Sequence, residues 1–271
     1  MQHFIVIGNP ISHSKSPDIH HAFADSLGKS IRYSREFCPD NFDSFCAVVS
    51  AFFHGGGTGA NVTLPFKEMA FKLCQDTGML SDHAKAAGAV NTLSMQDGKL
   101  YGDNTDGRGL VSDLQSQGIN LQDKTVAIIG AGGATRGAIL PLIEQGAKLH
   151  IFNRTLSKAT SLVADFKSSA DTLCAYELSK LSTGTHHFDV IINATSATTH
   201  SQTLALSQSL SADFAYDMMY GKPSEFLEHF KQRGAKLSDG YGMLIHQAAL
   251  SFALWTNCQV SQSTLERLSN Q

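Results

Sequence analysis

Lys67 is the residue of this 271-residue chain best placed for proton chemistry. In Asn61-Val-Thr-Leu-Pro-Phe-Lys67 a strand over 59–62 delivers Thr63 to its end, Pro65 opens a helix, and Lys67 falls in that helix's first turn. The helix dipole there disfavours a fixed positive charge, a setting that suits a group which gives and takes protons. A solvated lysine at a helix start is the commoner arrangement, so Lys67 alone decides nothing. Other polar groups recur at the ends of expected elements. Ser12, Ser14 and Ser16 crowd a loop before Pro17, where Ser16 is expected to cap a helix, and Ser14 and Ser16 could also hold a small acid at the helix start. Asn91 lies in a run over 86–93 that reads as a strand, and Asp103, Asn104 and Asp106 end another strand before a helix. In an α/β sheet such junctions line one edge, where ligands bind.

A second kind of chemistry is written in Lys124-Thr-Val-Ala-Ile-Ile-Gly-Ala-Gly-Gly-Ala-Thr-Arg-Gly137. Residues 126–129 read as a strand buried on both faces, and 137–143 carries helical spacing. A glycine-rich turn between them exposes backbone N–H groups at the positive end of a helix dipole, where a pyrophosphate can approach closely. A tight turn without a ligand would also use these glycines, and Thr135 stands where the third fingerprint glycine is usual. The next strand, 148–152, ends in Asn153-Arg-Thr155, where NAD-preferring proteins carry an acid for the ribose 2′-hydroxyl. A guanidinium there pairs with a 2′-phosphate through forked hydrogen bonds, and Lys158 adds a cation on the same side. The alternative is an ordinary solvated helix start. On this reading the cofactor is NADP(H).

The elements that must position these groups alternate strand and helix. Strands are expected at 4–7, 32–37, 59–62, 126–129, 148–152, 173–176, 188–193 and 214–219, with a hairpin turn at Gln96-Asp-Gly-Lys99 and a long helix over 240–255. The length suits one large or two modest domains. A net charge of −3 argues against a nucleic-acid or anionic-membrane surface. Five single cysteines without a CxxC pair suggest a reducing compartment and no zinc. The start lacks a basic region and meets Pro10 early, unlike a signal peptide or membrane span. His54-Gly-Gly-Gly57 resembles an oxyanion-hole loop, but no G-x-S-x-G elbow accompanies it, so these glycines read as a helix stop. His20-His21 and His186-His187 have no carboxylate cluster, and no metal is expected.

Taken together, Gly8-Asn-Pro-Ile-Ser-His-Ser-Lys-Ser-Pro17, Ala60-Asn-Val-Thr-Leu-Pro-Phe-Lys67, Ala87-Gly-Ala-Val-Asn-Thr92, Gly102-Asp-Asn-Thr-Asp-Gly107, Gly130-Ala-Gly-Gly-Ala134, Asn153-Arg-Thr155, Asn193-Ala-Thr-Ser196 and Asp239-Gly-Tyr-Gly-Met-Leu-Ile-His-Gln247 resemble the shikimate dehydrogenase family. They run in family order over essentially the whole chain, and eight in register are highly specific.

The resemblance implies a two-domain α/β enzyme: a substrate domain over 1–103 completed by helices in 240–271, and a Rossmann-like NADP domain with a parallel sheet over 104–239. It implies reversible, NADPH-dependent reduction of 3-dehydroshikimate to shikimate on the way to chorismate and the aromatic amino acids. Ser14, Ser16 and Tyr220 would hold the substrate carboxylate, and Thr63, Lys67, Asn91, Asp106 and Gln247 would surround the ring and reacting carbon. Lys67 is the family's acid/base, with Asp106 beside it. Gly130, Ala131, Gly132, Gly133, Ala134, Asn153, Arg154, Thr155, Lys158, Thr195, Met218 and Gly240 would enclose the cofactor. Closure of the domains would exclude water. Hydride addition to a ketone builds negative charge on oxygen, which a positioned ammonium stabilises, and neutral hydroxyls and amides suit a rigid polyol. The expected partners are small molecules only, in a cytoplasmic protein that could pair as a homodimer. The segment at 197–201 and the run Tyr220-Gly-Lys-Pro-Ser-Glu-Phe226 depart from the family's usual loops, although Ser224 can still cap a helix, and Lys158 replaces a frequent arginine. A quinate/shikimate dehydrogenase using NAD and a catalytically silent NADP-binding regulator are the alternatives. Arg154 argues against the first, and Lys67 with Asp106 against the second.

Overall fold

The computed structural model describes residues 1–166, 172–195 and 204–270. The chain runs β1 (Gln2–Gly8), α1 (Ser16–Ser26), β2 (Ile31–Phe37), α2 (Phe42–His54), β3 (Gly59–Val62), α3 (Lys67–Thr77), β4 (Met79–Leu80), α4 (Asp82–Ala87), β5 (Thr92–Gln96), β6 (Lys99–Asp103) and α5 (Asp106–Ser116). It continues through β7 (Thr125–Ile129), α6 (Gly133–Glu144), β8 (Lys148–Asn153), α7 (Leu156–Asp165), β9 (Leu173–Glu177), β10 (His186–Asn193), β11 (Leu210–Asp217), α8 (Glu225–Lys231), β12 (Lys236–Asp239), α9 (Tyr241–Thr256) and α10 (Gln262–Ser269). Two compact units result. One comprises Met1–Gly109 with Leu244–Gln271, and the other Leu110–Met243.

The sheet of the first unit has the order β2-β1-β3-β5-β6-β4. Strands β1, β2 and β3 are parallel, but β5 runs antiparallel to both β3 and β6. The expected strand over 86–93 is therefore a correction. Ala86 and Ala87 end α4, where Ser81 caps the start and Gly88 takes the left-handed conformation (φ 62°) that stops a helix. Extended pairing begins only at Thr92, opposite Asn61 on one side and Asp103 on the other. The reversal matters for the site: the start of β5 lies at the same sheet edge as the ends of β3 and β6. Two smaller corrections are local. Helix α3 begins at Lys67, so Pro65 belongs to the turn before it. Ser16 is not the cap of α1; its own N–H is received by the Ser14 hydroxyl at 3.3 Å. The glycines after His54 end α2, as its composition suggests, with Gly55 at the cap and Gly56 at φ 84°.

Aromatic rings fill the core on the α1 side of this sheet. His20 is fully buried and stacks on Tyr33 at 4.6 Å, with Phe23, Phe252 and Trp255 around it. Both ring nitrogens lack a hydrogen bond. Burial pushes the imidazole down from 6.5 to about 3; Asn61 nearby pulls weakly the other way without reaching hydrogen-bond geometry. The folded state thus refuses a proton that the unfolded chain accepts below pH 6.5. The contribution of a neutral His20 is complete above that pH and is lost as pH falls toward about 3, at most about 1.4 kcal/mol per pH unit. His20→Phe keeps the stacking and is expected to flatten that slope in urea titrations between these limits.

The second unit holds a wholly parallel sheet, β12-β11-β10-β7-β8-β9. Counted from β7 as the first strand, this is the order 3-2-1-4-5-6 of the Rossmann fold, whose ligands sit beyond the carboxyl ends of the strands where the order reverses, here between β7 and β10. Strand β12, Lys-Leu-Ser-Asp, was not expected; it is a half-buried edge strand with charged ends and little apolar pattern.

Candidate active site

The first unit collects its polar groups at one sheet edge. Thr63 follows β3, and its methyl lies against β1's last residue: a Cβ on Gly8 would sit 2.5 Å from Thr63 Cγ2. One turn later Lys67 Nζ donates to Asp106 Oδ2 at 2.7 Å, with about a quarter of each side chain exposed. Backbone bonds pin the surroundings. Val90 N–H reaches Lys67 O at 2.9 Å, and Asn91 N–H reaches Asp103 O at 3.0 Å.

Asn91 is 3% exposed and organises the rest. Its Oδ1 accepts the Thr105 backbone N–H at 2.9 Å; since a backbone N–H can only donate, the amide orientation is settled. Its Nδ2 then faces Asp106 Oδ1 at 2.8 Å, Thr105 Oγ1 at 2.9 Å and Gln247 Oε1 at 3.2 Å. Asp106 thus takes an ammonium on one oxygen and an amide on the other, charge-assisted bonds that fix its orientation. Gln247 arrives from α9 because Gly109 of α5 has no side chain: a Cβ there would meet Gln247 Cβ at 2.6 Å. Lys67 keeps two N–H bonds beyond the one spent on Asp106, directed to whatever oxygen is presented to them.

Ser14 and Ser16 lie before and at the start of α1, with Ser14 Oγ 3.2 Å from Ser16 Oγ. The Arg35 guanidinium grips the Ser14 carbonyl through Nε at 2.9 Å and Nη2 at 2.5 Å, fixing the loop. Tyr220 belongs to the second unit, its ring 5.6 Å from that of Tyr241. Burial, with Tyr241 and Asp239 nearby, raises its phenol above the ordinary value, so it remains a donor.

In the second unit the ends of four strands converge. Gly130 N–H bonds Phe152 O at 2.8 Å, Ala194 N–H bonds Ile129 O at 2.9 Å, and Met218 N–H bonds Asn193 O at 2.9 Å. Gly130 adopts φ 111°, and a Cβ on it would press against Thr195 Cγ2 at 3.0 Å. A Cβ on Gly240 would strike Met218 O at 2.1 Å, so only glycine fits directly after β12. Buried Asn193 holds Thr195 through its hydroxyl at 2.7 Å and reaches Asp217 at 3.2 Å, which in turn accepts from Ser224, the cap of α8. Ser196 and the 197–201 segment lie outside the described residues.

These residues fit a dinucleotide. No side chain caps α6, and a Cβ on Gly132 or Gly133 would meet nothing within 4 Å, so Gly132, Gly133 and Ala134 face open space at the helix start. Beyond β8, Asn153 Nδ2 bonds Thr155 O at 2.8 Å and shapes the turn, while Arg154 and Lys158 are exposed. Among the described residues neither forms an ion pair. Two cations without an ion pair among the described residues, at the end of the strand next to this open helix start, have the charge to suit a ribose that carries a further phosphate. The described residues contain no group of three or more potential metal ligands, and no helix among them is long and apolar enough to cross a membrane.

Sequence reasoning did not single out Thr92, Thr105, Ser251 or Arg35. Thr92 and Thr105 directly follow or precede recognised site residues, and Ser251 stands one helical turn after Gln247, so spacing could have found them. Arg35 on the Ser14 carbonyl has no local signal.

Comparison with known proteins places matches along the chain. The family described as the shikimate dehydrogenase substrate binding domain matches residues 6–93, shikimate / quinate 5-dehydrogenase matches 113–214, and the shikimate 5'-dehydrogenase C-terminal domain matches 240–267. A shikimate dehydrogenase (NADP(+)) of Psychrobacter arcticus is 52% identical, over 97% of this chain and 96% of its own. Among solved structures, an Ael1 enzyme from Pseudomonas putida is similar at 35% identity and a TM-score of 0.90, covering 99% of this chain and 98% of the other. Shikimate 5-dehydrogenase from Thermus thermophilus in complex with NADP(H) and shikimate is similar at 30% identity and a TM-score of 0.83, covering 100% and 99%.

Proposed function

The chain belongs to the shikimate dehydrogenase family, and from that premise we propose that it catalyses the reversible, NADPH-dependent reduction of 3-dehydroshikimate to shikimate. The observation that carries this reading is the Lys67 ammonium held 2.7 Å from Asp106, in a cluster with Asn91 and Gln247. Bound NADPH supplies the hydride. Lys67 meets the negative charge that develops on the carbonyl oxygen and passes a proton between Nζ and that oxygen. Asp106 keeps the ammonium aimed. Asn91, Gln247 and Thr63 are neutral partners for ring hydroxyls, and a site built for hydroxyls is left with unpaired polar atoms by analogues that lack them. Ser14, Ser16 and Tyr220 supply hydroxyl donors for the substrate carboxylate.

In the second unit Gly130, Ala131, Gly132, Gly133 and Ala134 cradle the pyrophosphate, and Asn153, Arg154, Thr155 and Lys158 receive the adenosine ribose and its phosphate. Thr195, Met218 and Gly240 line the remainder. Five unpaired cysteines favour the reducing cytoplasm as its compartment. On this reading substrate belongs to the unit Met1–Gly109 with Leu244–Gln271 and cofactor to Leu110–Met243.

The direct test supplies shikimate or quinate with NADP or NAD and follows the absorbance of the reduced nicotinamide. Shikimate with NADP is expected to turn over fastest, by about tenfold or more over either change of partner. Absence of turnover with both acids would refute the assignment.

A further inference from the structure

Behind Asn91 runs a line of buried side-chain hydrogen bonds that the catalytic reading does not use. Tyr33 O–H donates to Asn61 Oδ1 at 2.7 Å, and Asn61 Nδ2 approaches Ser251 Oγ at 3.2 Å and the Asn91 carbonyl at 3.2 Å. Ser251 Oγ lies 2.7 Å from Thr92 Oγ1, and Thr92 Oγ1 lies 2.8 Å from Asn91 Oδ1. Thr92, Thr105 and Ser251 are fully buried.

The direction of the links follows from groups that can only donate or only accept, together with the distances. A backbone carbonyl only accepts, so Asn61 must present its NH₂ to Asn91 O and to Ser251. Asn91 Oδ1, fixed by the Thr105 N–H, only accepts, so Thr92 must spend its proton there. Thr92 Oγ1 is then left to accept from Ser251, whose hydroxyl lies nearer to it, at 2.7 Å, than to its other acceptor, the Gln247 carbonyl at 3.2 Å. One run of donors leads Tyr33 → Asn61 → Ser251 → Thr92 → Asn91 → Asp106, and Lys67 meets the same carboxylate from the other side.

We propose that Thr92 is a positioning residue for this active site: its hydroxyl, aligned by Ser251, locks the Asn91 amide and so holds the Asp106 carboxylate toward Lys67. The inference rests on the proposed reaction. Aligned hydrogen bonds polarise one another in a dry interior, and donation into Asn91 Oδ1 strengthens donation from its Nδ2 to Asp106. Neither Thr92 nor Ser251 bonds Lys67 or Asp106 directly.

The test separates hydroxyl from volume. Thr92→Val keeps the size and suits a strand but removes the donor, whereas Thr92→Ser keeps the donor and removes a methyl. Thr92→Val is expected to lower kcat with shikimate about tenfold with the KM for NADP within about twofold, and Thr92→Ser to stay within about twofold of the parent. Ser251→Ala is expected to lower kcat about threefold alone and to add nothing in the Thr92→Val background, because the link downstream of it is already cut. A packing role predicts the reverse order, Ser worse than Val, and that order or additive losses in the double variant would overturn the proposal. Were a poorly folded Thr92→Val to cloud its kcat, Ser251→Ala set against Thr92→Ser decides on the same terms: unaltered kcat in Ser251→Ala overturns it. A parent protein that turns over no shikimate removes the catalytic reading as well; an active parent with an unaffected Thr92→Val removes only the positioning role.

Discussion

Lys67→Ala is expected to lower kcat for shikimate oxidation by about a thousandfold while changing the KM for shikimate only a few-fold. A side chain that moves a proton in the transition state contributes roughly 10²–10⁴ in rate, and Lys67 also meets the developing charge on oxygen. On the proposed reading the ground-state substrate is held chiefly by neutral groups, Ser14 and Ser16 at the carboxylate and Thr63, Asn91 and Gln247 at the ring, none of which the substitution removes. An interaction made mainly in the transition state shows itself in kcat, not in KM. Alanine also leaves Asp106, 25% exposed, without its counter-ion. Steady-state kinetics over a range of shikimate at saturating NADP read the effect. Turnover equal to the parent's, or a loss confined to KM, sinks the assigned role.

The second large effect concerns the cofactor. Arg154→Ala is expected to raise the KM for NADP by about ten- to thirtyfold, leave that for NAD within about twofold, and so reverse much of the preference between them. A charge-assisted forked contact to phosphate is worth about 1.5–3 kcal/mol where it is dry and less where it is wet, and Arg154 is exposed. On the same reading Lys158, four residues on, would make a point-charge contact of the same sign, and its removal in addition should deepen the loss. Parallel titrations with the two cofactors decide the matter: equal changes in both constants would rule out a phosphate contact at this arginine.

Much of the architecture is legible in local pattern. The continuous apolar runs around 126–129 and 188–193 could hardly be anything but strands buried on both faces, and Asp97-Gly98 dictates its hairpin turn, with both residues at positive φ. What local pattern could not supply is order across the sheet. The run from Ala86 to Leu93 is small and apolar enough to suit either structure, and only the left-handed Gly88 and the pairing of Thr92 with both neighbours divide it into helix and strand. Strand β12 was missed because an edge position asks for little apolar pattern. At the site, Lys67 and Asp106 each stood out by position, but their contact spans 39 residues and depends on β5 reversing between β3 and β6. The hold of Arg35 on the Ser14 carbonyl is equally a product of tertiary packing.

The two units differ in how the chain supplies them. Leu110–Met243 is one uninterrupted segment, whereas the other unit takes its last portion from Leu244–Gln271. That late portion brings Trp255, whose indole N–H bonds Leu93 O at 3.0 Å and whose ring fills the space above Gly59, together with Gln247 and Ser251. Translation in chain order therefore delivers every residue of the intervening segment before the wedge that the unit begun first requires. A chain truncated before Leu244 keeps every residue of the second unit but lacks the amide and hydroxyl that complete the Asn91 cluster, so truncation there strikes the two units unequally.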